Sequence, residues 1–164
     1  MNSTAIDPLD FRKVLGQWPS GVVVVTGMVD NEPIGMSCNS FSSVSLDPPL
    51  VGIFVASTSS TWPGIRDSGS FTINVLASHH EELSRNFSRR GVDRFRDVLW
   101  SRRPSGPALD EAVAWIECEL FAELETGDHT LALGRVTAIE MQDGLEPLIF
   151  HRGQYSASGS GVLV

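Results

Sequence analysis

Residues 112–125 read AVAWIECELFAELE, and this stretch decides the class of fold. Its even positions are Ala112, Ala114, Ile116, Cys118, Leu120, Ala122 and Leu124, while the odd positions after Trp115 are mainly glutamate. A period of two belongs to a strand with one face in a core and the other in water. Thr126-Gly127-Asp128-His129 supplies turn residues, and Leu131 to Met141 returns, so the pair predicts a long antiparallel hairpin.

Other strands assemble around that hairpin. Gly21 to Met28 (GVVVVTGM) is a β-branched run without polar alternation, as in a strand covered on both faces. Asp30-Asn31 turns the chain back through Ile34 to Ser37. Ser37 to Leu46 (SCNSFSSVSL) has the length of one strand yet carries six hydroxyl or amide side chains. Asp47-Pro48-Pro49 closes it. Leu50 to Ser57 and Phe71 to Leu76 read as further strands, and Leu148 to His151 and a short piece near Tyr155 follow the Asp143-Gly144 turn. Two or three helices are expected, two of them readable in detail. In the first, Asp7 caps, Pro8 suits the first turn, and Phe11, Val14, Leu15 and Trp18 form a face to lay on a neighbour. The second starts at Ser78 with a capping box to Glu81, its apolar side made by Leu83 and Phe87. Ser156 to Val164 reads as a mobile tail. About seven strands without regular βαβ alternation favour an antiparallel barrel over a doubly wound sheet.

The 164 residues suit one domain. Twelve Lys and Arg against twenty Asp and Glu leave a net charge of −8, which disfavours nucleic acid as the main partner. No run approaches the roughly 20 apolar residues of a membrane span. Met1 to Asp10 holds two aspartates and no basic residue, unlike a secretory signal. Cys38 and Cys118 show no metal-ligand spacing, which points to buried thiols in a reducing cytoplasm.

P-loop, G-x-S-x-G, H-E-x-x-H and helix-opening G-x-G-x-x-G motifs are all missing, so hydrolase, kinase and zinc-enzyme chemistry has little support. Two features remain. The polar segment at Ser37, Asn39, Ser40, Ser42, Ser43 and Ser45, with the hydroxyl cluster at 57–61, could meet a heteroaromatic ligand rich in donors and acceptors; a solvated edge strand is the competing reading. Gly127-Asp128-His129 at the hairpin tip could carry a functional histidine or be plain turn chemistry. His79 and His80 read as solvated residues of a first helical turn. Arg85, Arg89, Arg90, Arg94 and Arg96 could bind a phosphate or form a solvated face.

Taken in order, these segments resemble the short-chain flavin reductase family, the reductase components of two-component flavin-dependent monooxygenases. The matching stretches are F-R-x-x-L-G-x-x-P-S-G-V (Phe11 to Val22), V-V-T (Val24 to Thr26), G-M-S-C-N-S-F-S-S-V-S-L-D-P-P-L (Gly35 to Leu50) and F-x-x-N-V-L (Phe71 to Leu76). G-D-H (Gly127 to His129), G-R-V (Gly134 to Val136) and H-R-G-Q-Y (His151 to Tyr155) follow. The family commonly has Thr where Ser20 and Ser37 stand.

The resemblance implies a mainly β, FMN-binding split β-barrel, antiparallel and Greek-key-like with a few peripheral helices, formed by residues 1–155. It implies a homodimer, and the charge, hydropathy and cysteine readings above add the expectation of a cytoplasmic protein that meets neither nucleic acid nor membrane. The implied activity is an NAD(P)H:flavin oxidoreductase, NADH favoured, that reduces FAD or FMN and supplies a separate monooxygenase. Gly35, Met36, Ser37, Cys38, Asn39 and Ser40 match the segment along the isoalloxazine ring, and Ser45 and Leu46 its continuation. Ser57, Ser60 and Thr61 fall where ribityl and phosphate groups are held, with Arg90 as a phosphate partner. His129 matches the catalytic histidine beside the flavin, and His151 and Tyr155 a pocket-lining segment. The flavin performs the redox step, and nicotinamide stacks with its C4 about 3–3.5 Å from N5, needing no Rossmann domain. An FMN-dependent oxidase on the same fold and a flavin-binding redox sensor remain as rivals, since fold alone does not set function.

Overall fold

Three helices and twelve strands occur among residues 6–158, the part that the computed structural model describes. In chain order they are α1 (Pro8–Leu15), β1 (Ser20–Gly21), β2 (Val23–Val29), β3 (Glu32–Cys38), β4 (Ser42–Leu46), β5 (Pro49–Ala56), α2 (Trp62–Ser68) and β6 (Ser70–Val75). There follow α3 (Glu81–Ser88), β7 (Trp100–Arg103), β8 (Gly106–Leu109), β9 (Ala114–Thr126), β10 (His129–Met141), β11 (Leu148–His151) and β12 (Gln154–Ala157).

The main sheet has seven strands in the order β3-β2-β6-β9-β10-β5-β4, and every pairing in it is antiparallel. The expected long hairpin is its spine: β9 and β10 pair from Ala114↔Met141 to Thr126↔His129. Phe121 on β9 and Thr137 on β10 fall outside the register, and such bulges sharpen the local twist. Valines 23 and 25 of β2 share one core with Val51, Ile53 and Val55 of β5, although three strands separate them in the order. The sheet therefore curls upon itself, while its edges β3 and β4 form no ladder with each other among the described residues.

The valine run has a direct explanation. Val23 and Val25 point into this core, whereas Val22 and Val24 enter a second one with Leu76, Phe87, Leu109 and Leu148. Each such side chain contributes roughly 1.5–3 kcal/mol by leaving water, so a polar residue on either face would be costly. Asn74 of the F-x-x-N-V-L stretch is fully buried and structural. Its amide donates to the Val24 carbonyl and Thr26 Oγ1, and its Oδ1 accepts from the Leu109 N–H at 2.8 Å, which ties β8 to β2 and β6.

Several expectations require correction. Ser37 to Leu46 is not one strand: β3 ends at Cys38, β4 begins at Ser42, and residues 39–41 carry the chain from one edge of the sheet to the other. The second helix starts at Glu81 rather than Ser78, because the Ser78 N–H is taken by the Glu146 carbonyl and no side chain caps the helix. His80 is buried, not solvated, and its Nδ1 accepts the Ala77 N–H at 3.2 Å. The hairpin β7–β8 was not anticipated. Helix α1 has its expected cap, Asp7 accepting from the Leu9 and Asp10 N–H groups, but none of its residues is buried within the single chain. β12 runs two residues beyond Tyr155, and the remainder of the expected tail, 159–164, lies outside the described residues.

Candidate active site

The end of β3, the 39–41 crossover, the end of β5, the 59–61 loop, the end of α3 and the β9–β10 hairpin tip enclose a groove of about 340 Å³. Met36, Ser37, Cys38, Asn39, Ser40, Ser60, Thr61, Arg90 and His129 all line it, so one site gathers most of the residues singled out from sequence. The hairpin brings His129 there. Gly127 adopts φ of +69° in a two-residue loop, and the Asp128 carbonyl accepts the Ser57 N–H, fastening the tip to the loop after β5.

His129 Nδ1 lies 2.7 Å from Asp128 Oδ1. That hydrogen bond, followed by the charge of His129, holds the Asp128 carboxyl below the usual carboxylate range. With Nδ1–H directed at a carboxylate, Nε2 is the nitrogen left to face a ligand.

At the other end of the groove the charge is positive. Arg94 turns inward, its Nη1 donating to the Gly35 carbonyl at 2.6 Å and to Thr61 Oγ1 at 2.8 Å, and its Nε to the Arg89 carbonyl. Burial first, and Arg90 second, push its pKa down. Arg90 is exposed and reaches the Thr58 carbonyl at 3.5 Å. Neither guanidinium takes part in an ion pair among the described residues. Two unneutralised guanidiniums beside Ser59, Ser60 and Thr61 make a donor set suited to a phosphate.

Polar side chains on the β3 wall are not equivalent. Ser37 Oγ meets Ser84 Oγ at 2.8 Å, and Ser84 Oγ meets the Tyr155 hydroxyl at 3.0 Å, so Tyr155 reaches the groove through a fully buried serine. Ser40 Oγ is engaged by the backbone of Phe54, and Cys38 Sγ lies 3.0 Å from that same oxygen. Burial raises the Cys38 thiol and pushes Cys118 up to about 12, so neither is an activated nucleophile. Gly35 is needed for close packing: a Cβ there would lie 2.8 Å from Phe87 Cε1.

Other expected residues lie elsewhere. Gly35 lines an adjoining cavity, and Ser57 lines a separate one with Trp62 and Glu123. Ser45 and Leu46 sit on the edge strand β4, with Leu46 95% exposed, and the chain alone does not bring them to the groove. His151 Nε2 is 3.2 Å from the Gln17 carbonyl, outside the groove lining. Ser84 was not singled out, and Arg94 was named only as one of five clustered arginines. Five arginines within twelve residues do not show which one folds inward, but a small hydroxyl three residues before Phe87, on the packed face of α3, was a readable signal for Ser84.

One group of possible metal ligands exists among the described residues, His79, His80 and Glu111. It suits a metal poorly. His80 Nδ1 accepts a backbone N–H, so the neutral ring carries its proton on Nε2 and has no free lone pair to offer.

Known proteins resemble this chain over nearly all of its length. Residues 15–159 match the flavin reductase like domain. The flavin-dependent monooxygenase reductase subunit HsaB of Rhodococcus jostii is 41% identical over 153 residues, covering 93% of this chain and 78% of that protein. An NADH:FMN oxidoreductase of Rhodococcus qingshengii is 37% identical over 159 residues, with 93% and 83% covered. The Streptomyces globisporus NADH:FAD oxidoreductase, solved with NAD and FAD fragments, superposes with a TM-score of 0.87 at 35% identity, covering 97% of this chain and all of that one.

Proposed function

The chain belongs to the flavin reductase like domain family and is an NAD(P)H-dependent flavin reductase, and from that premise we propose that it favours NADH, reduces FAD or FMN, and delivers reduced flavin to a separate monooxygenase. The observation that carries this reading is one groove with His129, oriented by Asp128, at one end and two guanidiniums without carboxylate partners at the other. Ser37 and Asn39 would hold the polar edge of the flavin ring, and Ser60, Thr61 and Arg90 its ribityl and phosphate groups. When bound, the flavin supplies the redox chemistry by accepting a hydride from the nicotinamide and passing electrons onward. His129 bounds the space where the nicotinamide would stack and presents Nε2 to it. Asp128 fixes the tautomer.

A split barrel is the reading of the fold that the shared core of β2 and β5 supports, with the 39–41 crossover spanning the open side. A second copy of the chain is part of the same proposal. Leu9, Val14, Leu15 and Trp18 of the α1 region are each more than half exposed, a surface that an aqueous monomer rarely displays. The unpaired Cys38 and Cys118 accord with a cytoplasmic setting. No helix among the described residues is long and apolar enough to cross a membrane.

NADH and NADPH oxidation by the purified protein, with FAD, FMN or riboflavin added, tests the reading. Turnover that depends on free flavin and runs faster with NADH is expected. Flavin binding without turnover would favour the sensor or the oxidase instead.

A further inference from the structure

The half-buried Arg94 gives three N–H groups to the protein itself. Nη1 reaches both the Gly35 carbonyl, on the edge strand β3, and Thr61 Oγ1, at the start of α2, while Nε holds the Arg89 carbonyl. The backbone behind it is fixed as well. Asn86 Nδ2 donates to the Arg94 carbonyl at 2.7 Å, and Phe95 meets Phe87 edge to face with ring centres 5.0 Å apart. Asp93 does not compete for the guanidinium: its Oδ1 accepts the Phe95 N–H at 3.1 Å, and no ion pair joins it to Arg94 among the described residues. One side chain therefore ties together the β3 wall of the groove, the 59–61 loop and the loop that carries Arg90.

Thr61 shows what this tie does. A threonine just before a helix ordinarily turns its hydroxyl back to the helix's own N–H groups. Thr61 makes no such cap, and Ser59 Oγ instead accepts the Trp62 N–H at 3.2 Å. The Thr61 oxygen faces Arg94 and accepts an Nη1 hydrogen at 2.8 Å. A hydroxyl has one hydrogen to give; with a cationic N–H on its oxygen, that hydrogen is left to donate in another direction and is the stronger donor for it. Thr61 lines the groove. Arg94 thus sets the polarity of a hydroxyl in the groove wall, much as Asp128 sets the tautomer of His129.

We propose that Arg94 is a positioning residue for the flavin: it presents the Thr61 hydroxyl as a donor and holds the 59–61 loop at a fixed distance from the end of β3. The inference rests on the flavin-groove reading above and deepens it. The two arginines of the groove then have different parts. Arg90 meets the phosphate with its exposed charge, and Arg94 acts through Thr61 by its geometry. A lysine at position 94 keeps the charge but gathers its donors on one atom, so it does not span the partners that Nε and Nη1 reach.

Arg94→Lys, Thr61→Val, Thr61→Ser and the double variant Arg94→Lys/Thr61→Val test this, by FMN titration and by kinetics with FMN varied and NADH saturating. Arg94→Lys and Thr61→Val should each raise Kd and KM for FMN about five- to tenfold with kcat held, whereas Thr61→Ser, which keeps the hydroxyl, should not. The double variant should bind no more weakly than the worse single one, because both changes remove the same interaction. Wild-type affinity in Arg94→Lys would reduce Arg94 to its charge, and losses that multiply in the double variant would separate it from Thr61; either result overturns the inference. So would a fall in thermal midpoint and kcat with KM unmoved, the mark of a purely structural tie. If Arg94→Lys does not fold, Thr61→Val decides with Arg94 untouched, and a wild-type KM there overturns the positioning role. Wild-type FMN affinity in Thr61→Val and Arg90→Ala together would instead overturn the flavin-groove reading.

Discussion

The Ser40 hydroxyl holds both backbone groups of Phe54, accepting its N–H at 3.0 Å and donating to its carbonyl at 2.8 Å. β4 pairs with β5 at Ser42↔Gly52, so Ser40 falls where the next pair of that ladder would be. One side chain thus stands in for a strand partner as the crossover leaves the sheet. Ser40→Ala leaves two groups of Phe54 seeking water and should cost about 1–3 kcal/mol, read by urea denaturation. Wild-type stability in that variant would show that the contact carries nothing.

His129 and Asp128 should separate chemistry from binding. His129→Ala is expected to lower NADH-dependent turnover about 10- to 100-fold while oxidised-flavin affinity changes little, because misplacing the reacting partners costs rate before it costs flavin contacts. Asp128→Asn, which keeps the side chain's shape but weakens its hold on Nδ1, should show a smaller loss in the same direction. Stopped-flow reduction and flavin titration distinguish these; unaltered turnover in His129→Ala would remove its role.

The Ser37–Ser84–Tyr155 chain predicts an effect from outside the groove. Ser84→Ala removes the shared partner of two hydroxyls and should weaken flavin binding by about 1 kcal/mol, roughly fivefold, with thermal stability lowered modestly. Tyr155→Phe should do less, since Ser37 keeps Ser84. Fluorescence titration checks the order, and a larger effect in Tyr155→Phe would contradict the chain as drawn.

Arg90 is exposed and carries the phosphate assignment, so its effect should depend on the ligand's charge. Arg90→Ala is expected to weaken FMN severalfold, about 1 kcal/mol or less, and more at low salt. Riboflavin, which has no phosphate, should be indifferent. Equal losses for both would place Arg90 on another part of the flavin.

Burial chiefly, and the neighbouring His79 second, lower the His80 pKa from 6.5 to about 4. The unfolded chain therefore binds more protons between those values, and stability rises with pH across them. The contribution is complete above about 6.5 and is lost as pH falls toward about 4, amounting to about 3 kcal/mol at most. His80→Asn retains an acceptor for the Ala77 N–H without a titrating ring. Its denaturation midpoint should fall less steeply than wild type over this window; parallel curves would mean that His80 does not drive the slope.

Local pattern carried far here. Alternation in 112–125 announced β9, the turn residues at 126–129 announced its hairpin, and the doubly apolar β2 was visible as a valine run, because strand period and turn chemistry act over a few neighbouring residues. The ordered motifs likewise singled out Ser37, Asn39 and His129 for the groove, and the hydroxyl cluster at 57–61 added Thr61. Tertiary structure alone decided what each polar group does. Ser40, in the groove wall, took the place of a strand partner for Phe54, Arg94 rather than its four neighbours folded inward, His80 was buried, and the 37–46 stretch split into two opposite edges. These outcomes depend on contacts between residues distant in the chain, such as Ser40 with Phe54 and Arg94 with Gly35, which the curling of the sheet creates. A hydroxyl or a guanidinium has the same local signature whether its partner is water, backbone or ligand, and the fold supplies the partner.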